Sequence, residues 1–207
     1  MRRVLVLFAH PNLRESRVHR RLLGAREGLE GATLRDLYEL YPEFDIDVAA
    51  EQEALLAHDV IVWQHPLFWY SVPPLLKQWI DLVLEHGWAY GSAGNALEGK
   101  RLLSVVSAGA PASAYGSGGY NRFALRELLS PLEQTARLCG MDYLPPWVVF
   151  GSHRADEAEL DGRATEYRAV LRWLTSGGHE ARDLGDRDFL DPRDPALGIP
   201  LDQAGVR

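Results

Sequence analysis

Three short stretches hold the residue types from which a ligand site can be built. Residues 10–16, HPNLRES, begin with His10 and end on Ser16, a candidate helix N-cap. Such a cap exposes the N–H groups of Arg17, Val18 and His19 at a helix N-terminus, where oriented amides and the helix dipole accept a phosphate. His10 and Arg17 add donors, although a serine in this position also serves as a purely structural cap. Residues 65–70, HPLFWY, place four rings in six positions. Apolar rings on a connecting loop are unusual, because they are normally spent on the core. Phe68, Trp69 and Tyr70 therefore line a cofactor or substrate slot or form a dimer contact. Residues 107–110, Ser107, Ala108, Gly109 and Ala110, are small enough for backbone to approach a flat ligand closely.

Rings on one side, small residues on the other and a phosphate-accepting helix end below describe a site for a planar ring system with one phosphate. Flavin mononucleotide fits that description better than ATP or NAD does. Neither the G-x-G-x-x-G of a dinucleotide fold nor the G-x-x-x-x-G-K of a P-loop is present. His58, His86, His153 and His179 belong to no constellation and are expected at the surface or satisfied by neighbours. No pair of histidines has metal spacing, so no metal is expected. Trp63 and Trp79 are expected only to pack. Trp88 and Tyr90 either reach a partner's site or anchor their loop.

The elements that must position these loops follow from periodicity. Residues 4–9 and 60–63 are continuous apolar runs, as expected for parallel strands covered on both faces, and residues 101–107 form another strand. Residues 32–37 alternate as a further strand, and residues 143–150 form the fifth. Between them lie helical patterns at 16–29, 46–57 and 73–85, the last with prolines in its first turn and a broad apolar face. A helix over 121–138 must kink or restart at Ser130, where Ser130-Pro131-Leu132-Glu133 matches a capping box. A final helix spans 157–174. Strands alternating with helices imply an α/β doubly wound parallel sheet. Ligands of such sheets bind beyond the carboxyl ends of the strands, hence at the loops after strands one, three and four. Residues 175–207 are rich in Gly, Pro and Asp, have no period, and read as a tail wrapped on the surface or partly disordered.

Composition sets the outer limits. The 207 residues suffice for one well-buried domain. A net charge of −7 with scattered basic residues lacks the footprint of a nucleic-acid binder. The single cysteine, Cys139, forms no internal disulfide, which suits a reducing interior. No segment reaches the roughly 18 apolar residues of a membrane span. The start, MRRVLVLFAHP, is a buried strand rather than a signal peptide, and a cytoplasmic location is expected.

FAHPNLRES at 8–16, DLYELYPEFDID at 36–47, AAEQEALL at 49–56, IVWQHPLFWYSVPPLLKQWID at 61–81 and HGWAYG at 86–91 resemble the NAD(P)H:quinone oxidoreductases of flavodoxin-like fold. More narrowly, they resemble the ancillary subunits of glutathione-gated Kef potassium-efflux systems. The resemblance runs over residues 3–174 and implies a five-stranded sheet in the order 2-1-3-4-5 with helices on both faces. It implies FMN, less so FAD, held by His10, by Ser16, Arg17, Val18 and His19, by Pro66, Leu67, Phe68, Trp69 and Tyr70, and by Ser107, Ala108, Gly109 and Ala110. NAD(P)H would deliver hydride, leave, and be replaced on the same face by a quinone, in ping-pong fashion. A homodimer is implied, since relatives build the site partly from a second subunit. Partnership with a potassium/proton antiporter would place the protein peripherally at the inner membrane, without insertion.

The departures from the family pattern are local. His19 stands where relatives carry Asn, and Gly109-Ala110 where they carry Gly-Gly. Tyr115 matches a catalytic tyrosine. The family's histidine falls at Tyr120 or Asn121, so proton delivery would pass to a tyrosine hydroxyl or water. The alternatives to an enzyme are a flavin-binding regulatory subunit with no catalytic role and a flavodoxin-type one-electron carrier. An azo-compound reductase is a close variant of the same chemistry.

Overall fold

The computed structural model describes residues 1–180, 184 and 187–201. Strands β1 (Val4–Phe8), β2 (Ala32–Asp36), β3 (Val60–Pro66), β4 (Arg101–Ser107), β5 (Asp142–Tyr143) and β6 (Trp147–Val149) form one parallel sheet. Their order is β2-β1-β3-β4-β5, with β6 also on β4, which is the expected doubly wound topology. β1 and β3 are buried at every position because helices cover both faces. The expected fifth strand is split. Pro145 and Pro146 have no N–H to give to β4, so pairing stops at Tyr143 and resumes at Trp147.

Alternate residues of each strand feed two cores. Leu5, Leu7, Ile61 and Trp63 pack under α2 (Leu37–Leu40), α3 (Val48–Leu56), α4 (Pro74–Val83), α5 (Leu125–Leu128) and α6 (Ser130–Leu138). Val4, Val6, Val60 and Val62 pack under α1 (Arg17–Arg26) and α7 (Glu157–Ser176). Leu190, Leu197 and Ile199 of the C-terminal segment also bury in this second core. The Leu190 N–H donates to the Pro146 carbonyl at 3.0 Å, inside the gap between β5 and β6. Residues 181–183, 185–186 and 202–207 of the expected tail lie outside the described residues. No helix among the described residues is long and apolar enough to cross a membrane.

Local departures have local causes. β2 stops at Asp36, whose carboxylate accepts from the N–H groups of Tyr38 and Glu39 and so starts the short α2. α1 ends at Arg26, and Gly28 beyond it adopts φ +68°. The helix over 121–138 does restart near Ser130, but the capping box does not form. Leu129 is already close to helical, so the Ser130 hydroxyl donates back to the Glu127 carbonyl at 2.7 Å. Glu133 pairs with Arg126 at 3.0 Å and Arg137 at 2.7 Å instead.

Trp79 does more than pack. Its indole N–H donates to Glu51 at 2.9 Å, and the same buried carboxylate accepts from Arg35 at 2.5 Å and the Tyr41 hydroxyl at 2.6 Å. Burial, with Glu51 beside it, pushes the Tyr41 phenol up to about 12. This network ties β2, the end cap of α2, α3 and α4 together.

Candidate functional site

β1, β3 and β4 end along one edge, with Phe8 opposite Gln64 and Pro66 opposite Ser107. A cavity of about 360 Å³ opens there, within the range of small-molecule sites. The loop after β1 contributes His10, Asn12, Glu15 and Ser16, and the first turn of α1 contributes Arg17 and Val18. Pro66 and Phe68 come from the loop after β3, and Ser107 from the end of β4. Ser152 and His153 complete the wall from the loop after β6.

Ser16 is the N-cap of α1, its hydroxyl oxygen accepting the His19 N–H at 3.1 Å. The amides of Arg17 and Val18 have no intrahelical acceptor and remain for a ligand. His19 is thereby corrected as a phosphate-facing group. Its amide is taken by the cap, and its imidazole is fully buried behind the cavity wall. Arg17 lines the cavity while pairing with Glu157 at 2.7 Å. His10 is half-buried, and desolvation lowers its pKa. Its Nδ1 accepts the Asn12 N–H at 3.1 Å, leaving the proton on Nε2, free to donate. The Phe68 ring meets His10 edge-on, with centroids 5.7 Å apart.

The rest of the aromatic stretch points elsewhere. Phe68 and Ser71 exchange backbone hydrogen bonds of 3.1 and 3.0 Å, closing a two-residue turn over Trp69 (φ 48°) and Tyr70 (φ 64°). Both residues are left-handed, a conformation that favours Gly and Asn and costs a bulky residue on the order of 1–3 kcal/mol. Trp69 is 93% exposed. The Tyr70 hydroxyl donates to Asn121 Oδ1 at 3.1 Å, linking this turn to the loop after β4. That second loop closes through Asn121 N–H to Ala114 carbonyl and Gly116 N–H to Phe123 carbonyl, at 3.0 and 2.8 Å. At Gly119 a side chain would collide with the Ala114 carbonyl, at 2.2 Å.

Tyr115 and Tyr120 sit on this loop beside Tyr70, and neither lines the cavity. Burial raises the Tyr115 phenol, helped by the Tyr120 and Tyr70 phenols, so it stays protonated. Leu67, Trp69, Tyr70, Ala108, Gly109 and Ala110 also lie outside the cavity lining. Gly109 borders the lining residue His153. A side chain there would lie 2.4 Å from His153 Nε2, so the imidazole rests where only glycine leaves room.

Ser152 and His153 add a fourth loop to the site, beyond those after strands one, three and four that the sequence points to. Yet GSHRA at 151–155 follows the last buried run of the sheet, and a parallel sheet carries that loop to the same edge.

A doubly wound parallel sheet with a donor-lined cavity at its carboxyl edge defines an α/β protein of the class whose ligands sit beyond the strand ends. Residues 2–171 match the Flavodoxin-like fold family, and the chain belongs to it. A solved structure of general stress protein 14 from Treponema denticola, in complex with FMN, is 43% identical with a TM-score of 0.78, spanning 84% of this chain and 98% of that one. A protein named NADPH-quinone reductase from P. pentosaceus is 34% identical with a TM-score of 0.74, spanning 81% and 96%. A structure named thermophilic tryptophan halogenase (Th-Hal), from Streptomycin violaceusniger, is 49% identical with a TM-score of 0.79, spanning 81% and 97%.

Proposed function

We propose that this chain binds FMN in the cavity and carries two electrons from NAD(P)H to a quinone in alternating half-reactions. The observation that carries this reading is the meeting of the capped α1 N-terminus, the His10 Nε2–H, the Phe68 ring and the Ser107 hydroxyl in one cavity of flavin-like demands. The residues present fit the group. The free amides of Arg17 and Val18 and the Arg17 guanidinium suit a phosphate, and Ser107 and His10 offer donors to the oxygen-rich chain and ring. Bound FMN would supply the hydride acceptance and release. FMN held by a 43% identical protein, and the quinone-reductase name of a 34% identical one, support the choice.

The chain's own part is orientation and proton supply. Phe68 walls the slot. Tyr115, which lies outside the cavity lining with Tyr120 and Tyr70 at its side and whose phenol stays protonated, would supply a proton to the part of the ring system that reaches beyond the cavity. Donor and acceptor would use the same face of the flavin in turn. Trp69, Phe123 and Tyr120, at 93%, 58% and 75% exposure, form the contact with a second copy. The further reading is an ancillary role beside a Kef-type potassium/proton antiporter, at the inner membrane through that partner.

The test is the visible spectrum of the full chain after incubation with FMN and desalting. A yellow protein with about one flavin per chain, bleached by NADPH and restored by a quinone, is the expected result. A protein that retains no FMN refutes the reading. Bound flavin that NADPH does not bleach gives the regulatory subunit without catalysis, and reduction in separate one-electron stages gives the carrier.

A further inference from the structure

Behind the cavity wall lies a run of four polar side chains. The Tyr167 hydroxyl of α7 donates to Gln64 Oε1 at 2.7 Å. Gln64 Nε2 lies 3.3 Å from His19 Nδ1, and His19 Nε2 lies 2.9 Å from Ser107 Oγ. Tyr167, Gln64 and His19 have no exposed surface, so they must satisfy one another.

That requirement fixes the direction of every proton. The Tyr167 hydroxyl has one hydrogen and, among the described residues, meets no acceptor other than Gln64, so the amide oxygen must face it. A flipped amide would strand the phenolic hydrogen in the core. With the oxygen so placed, the amide N–H points at His19 Nδ1, which must be the unprotonated nitrogen. The imidazole proton then sits on Nε2 and is donated to Ser107 Oγ. Burial, with His10 and His65 nearby, holds the His19 pKa well below the usual range, so the ring is neutral. The Ser107 oxygen therefore receives a hydrogen within the wall, and its own O–H is left over. Ser107 is the one member of the four that lines the cavity.

We infer that Tyr167, Gln64 and His19 form a one-way hydrogen-bond relay that commits the Ser107 hydroxyl to donating into the cavity. His19 is thus a positioning residue, and the ligand atom opposite Ser107 is an acceptor. The reverse proton order would turn the Ser107 hydrogen inward and present only lone pairs, repelling an oxygen-rich ligand. The inference rests on the flavin reading only for the identity of that ligand.

Two measurements on the full chain test it. The first is histidine ¹⁵N NMR of the protein without flavin, with the His19 signal assigned by its loss in His19→Gln. The expected state is a protonated Nε2 and bare Nδ1 across neutral pH. A protonated Nδ1 or a charged ring overturns the relay, and this measurement stands even if the protein binds no FMN. The second is FMN affinity by fluorescence quenching for the unaltered chain, Tyr167→Phe, Ser107→Ala and the double variant. Removing the Tyr167 hydroxyl frees Gln64 to flip, and FMN binding should weaken about fivefold, the worth of one neutral hydrogen bond. In the Ser107→Ala background the same change should do nothing. An equal loss in both backgrounds marks a merely structural effect and overturns the relay, as does no loss in the unaltered chain.

Discussion

The turn over Trp69 and Tyr70 stores backbone strain at a measurable place. Two-residue turns with both central residues left-handed are the province of Asn-Gly, because a side chain at positive φ crowds its own backbone. Here the first position holds Trp69 at φ 48°. The ring is 93% exposed, so it gains almost nothing from burial in return. Trp69→Asn places a residue that tolerates this conformation and removes no packed surface. The expected gain is about 1 kcal/mol, at the low end of the cost of a left-handed non-glycine residue. In a domain of this size that raises Tm by about 2–4 °C. Trp69→Ala keeps the crowding at Cβ and should leave Tm unchanged, which separates backbone relief from loss of the ring. The assay is thermal unfolding of the flavin-free chain, at two concentrations bracketing any dimer dissociation seen by sedimentation. If Trp69→Asn melts at or below the temperature of Trp69→Ala, no strain is stored there and the reasoning fails. The price of stability should appear in function, because the flexible polar residue no longer offers a ring to a second copy or a quinone.

Other perturbations test other links. Ser16→Glu puts a carboxylate at the mouth of α1 and should cost more than about tenfold in FMN affinity, read by fluorescence titration. Unchanged affinity would move the phosphate elsewhere. Glu51→Leu leaves Arg35 unpaired beside the core, and should lose about 3 kcal/mol in urea unfolding; a loss below one-third of that would make the network ornamental. Burial lowers His65 to about 4, against about 6.5 for an unfolded chain, so between those pH values the unfolded state binds more protons. Stability should therefore be full above pH ~6.5 and fall by on the order of 3 kcal/mol as pH drops toward 4, with His19 acting in the same direction. His65→Leu should flatten that slope, and an unchanged slope would assign the acid sensitivity to other groups.

Much of the fold was legible because its strands are written in unbroken apolar runs. The runs at 4–9 and 60–63 read as buried on both faces, and a parallel sheet brings the loops after β1, β3 and β4 to one edge. The Ser16 cap was legible too, since serine before a helical pattern has few other uses. What stayed hidden depended on which groups meet across elements. His19 looked like a phosphate ligand because its position in the first turn is visible, whereas the direction of its ring depends on Gln64 and α7. Trp79 looked like core because an indole is mostly apolar, and its one N–H finds Glu51 from a helix 28 residues away. His153 carried no motif, and its place over Gly109 is set by two loops far apart in the chain. The split of the fifth strand needed only Pro145 and Pro146 to be read as missing donors.

That interruption bears on how the protein survives in a crowded solution. A long straight margin of sheet is a template on which another chain can add a strand. Here the margin is broken by two prolines, and Leu190 seals the break by hydrogen bonding to Pro146. A fragment cut back to the 2–171 span shared with the family would lose that seal, and with it the plugs Leu190, Leu197 and Ile199. Such a fragment keeps every cavity residue yet exposes a sticky rim, so it should clump where the intact chain stays dispersed.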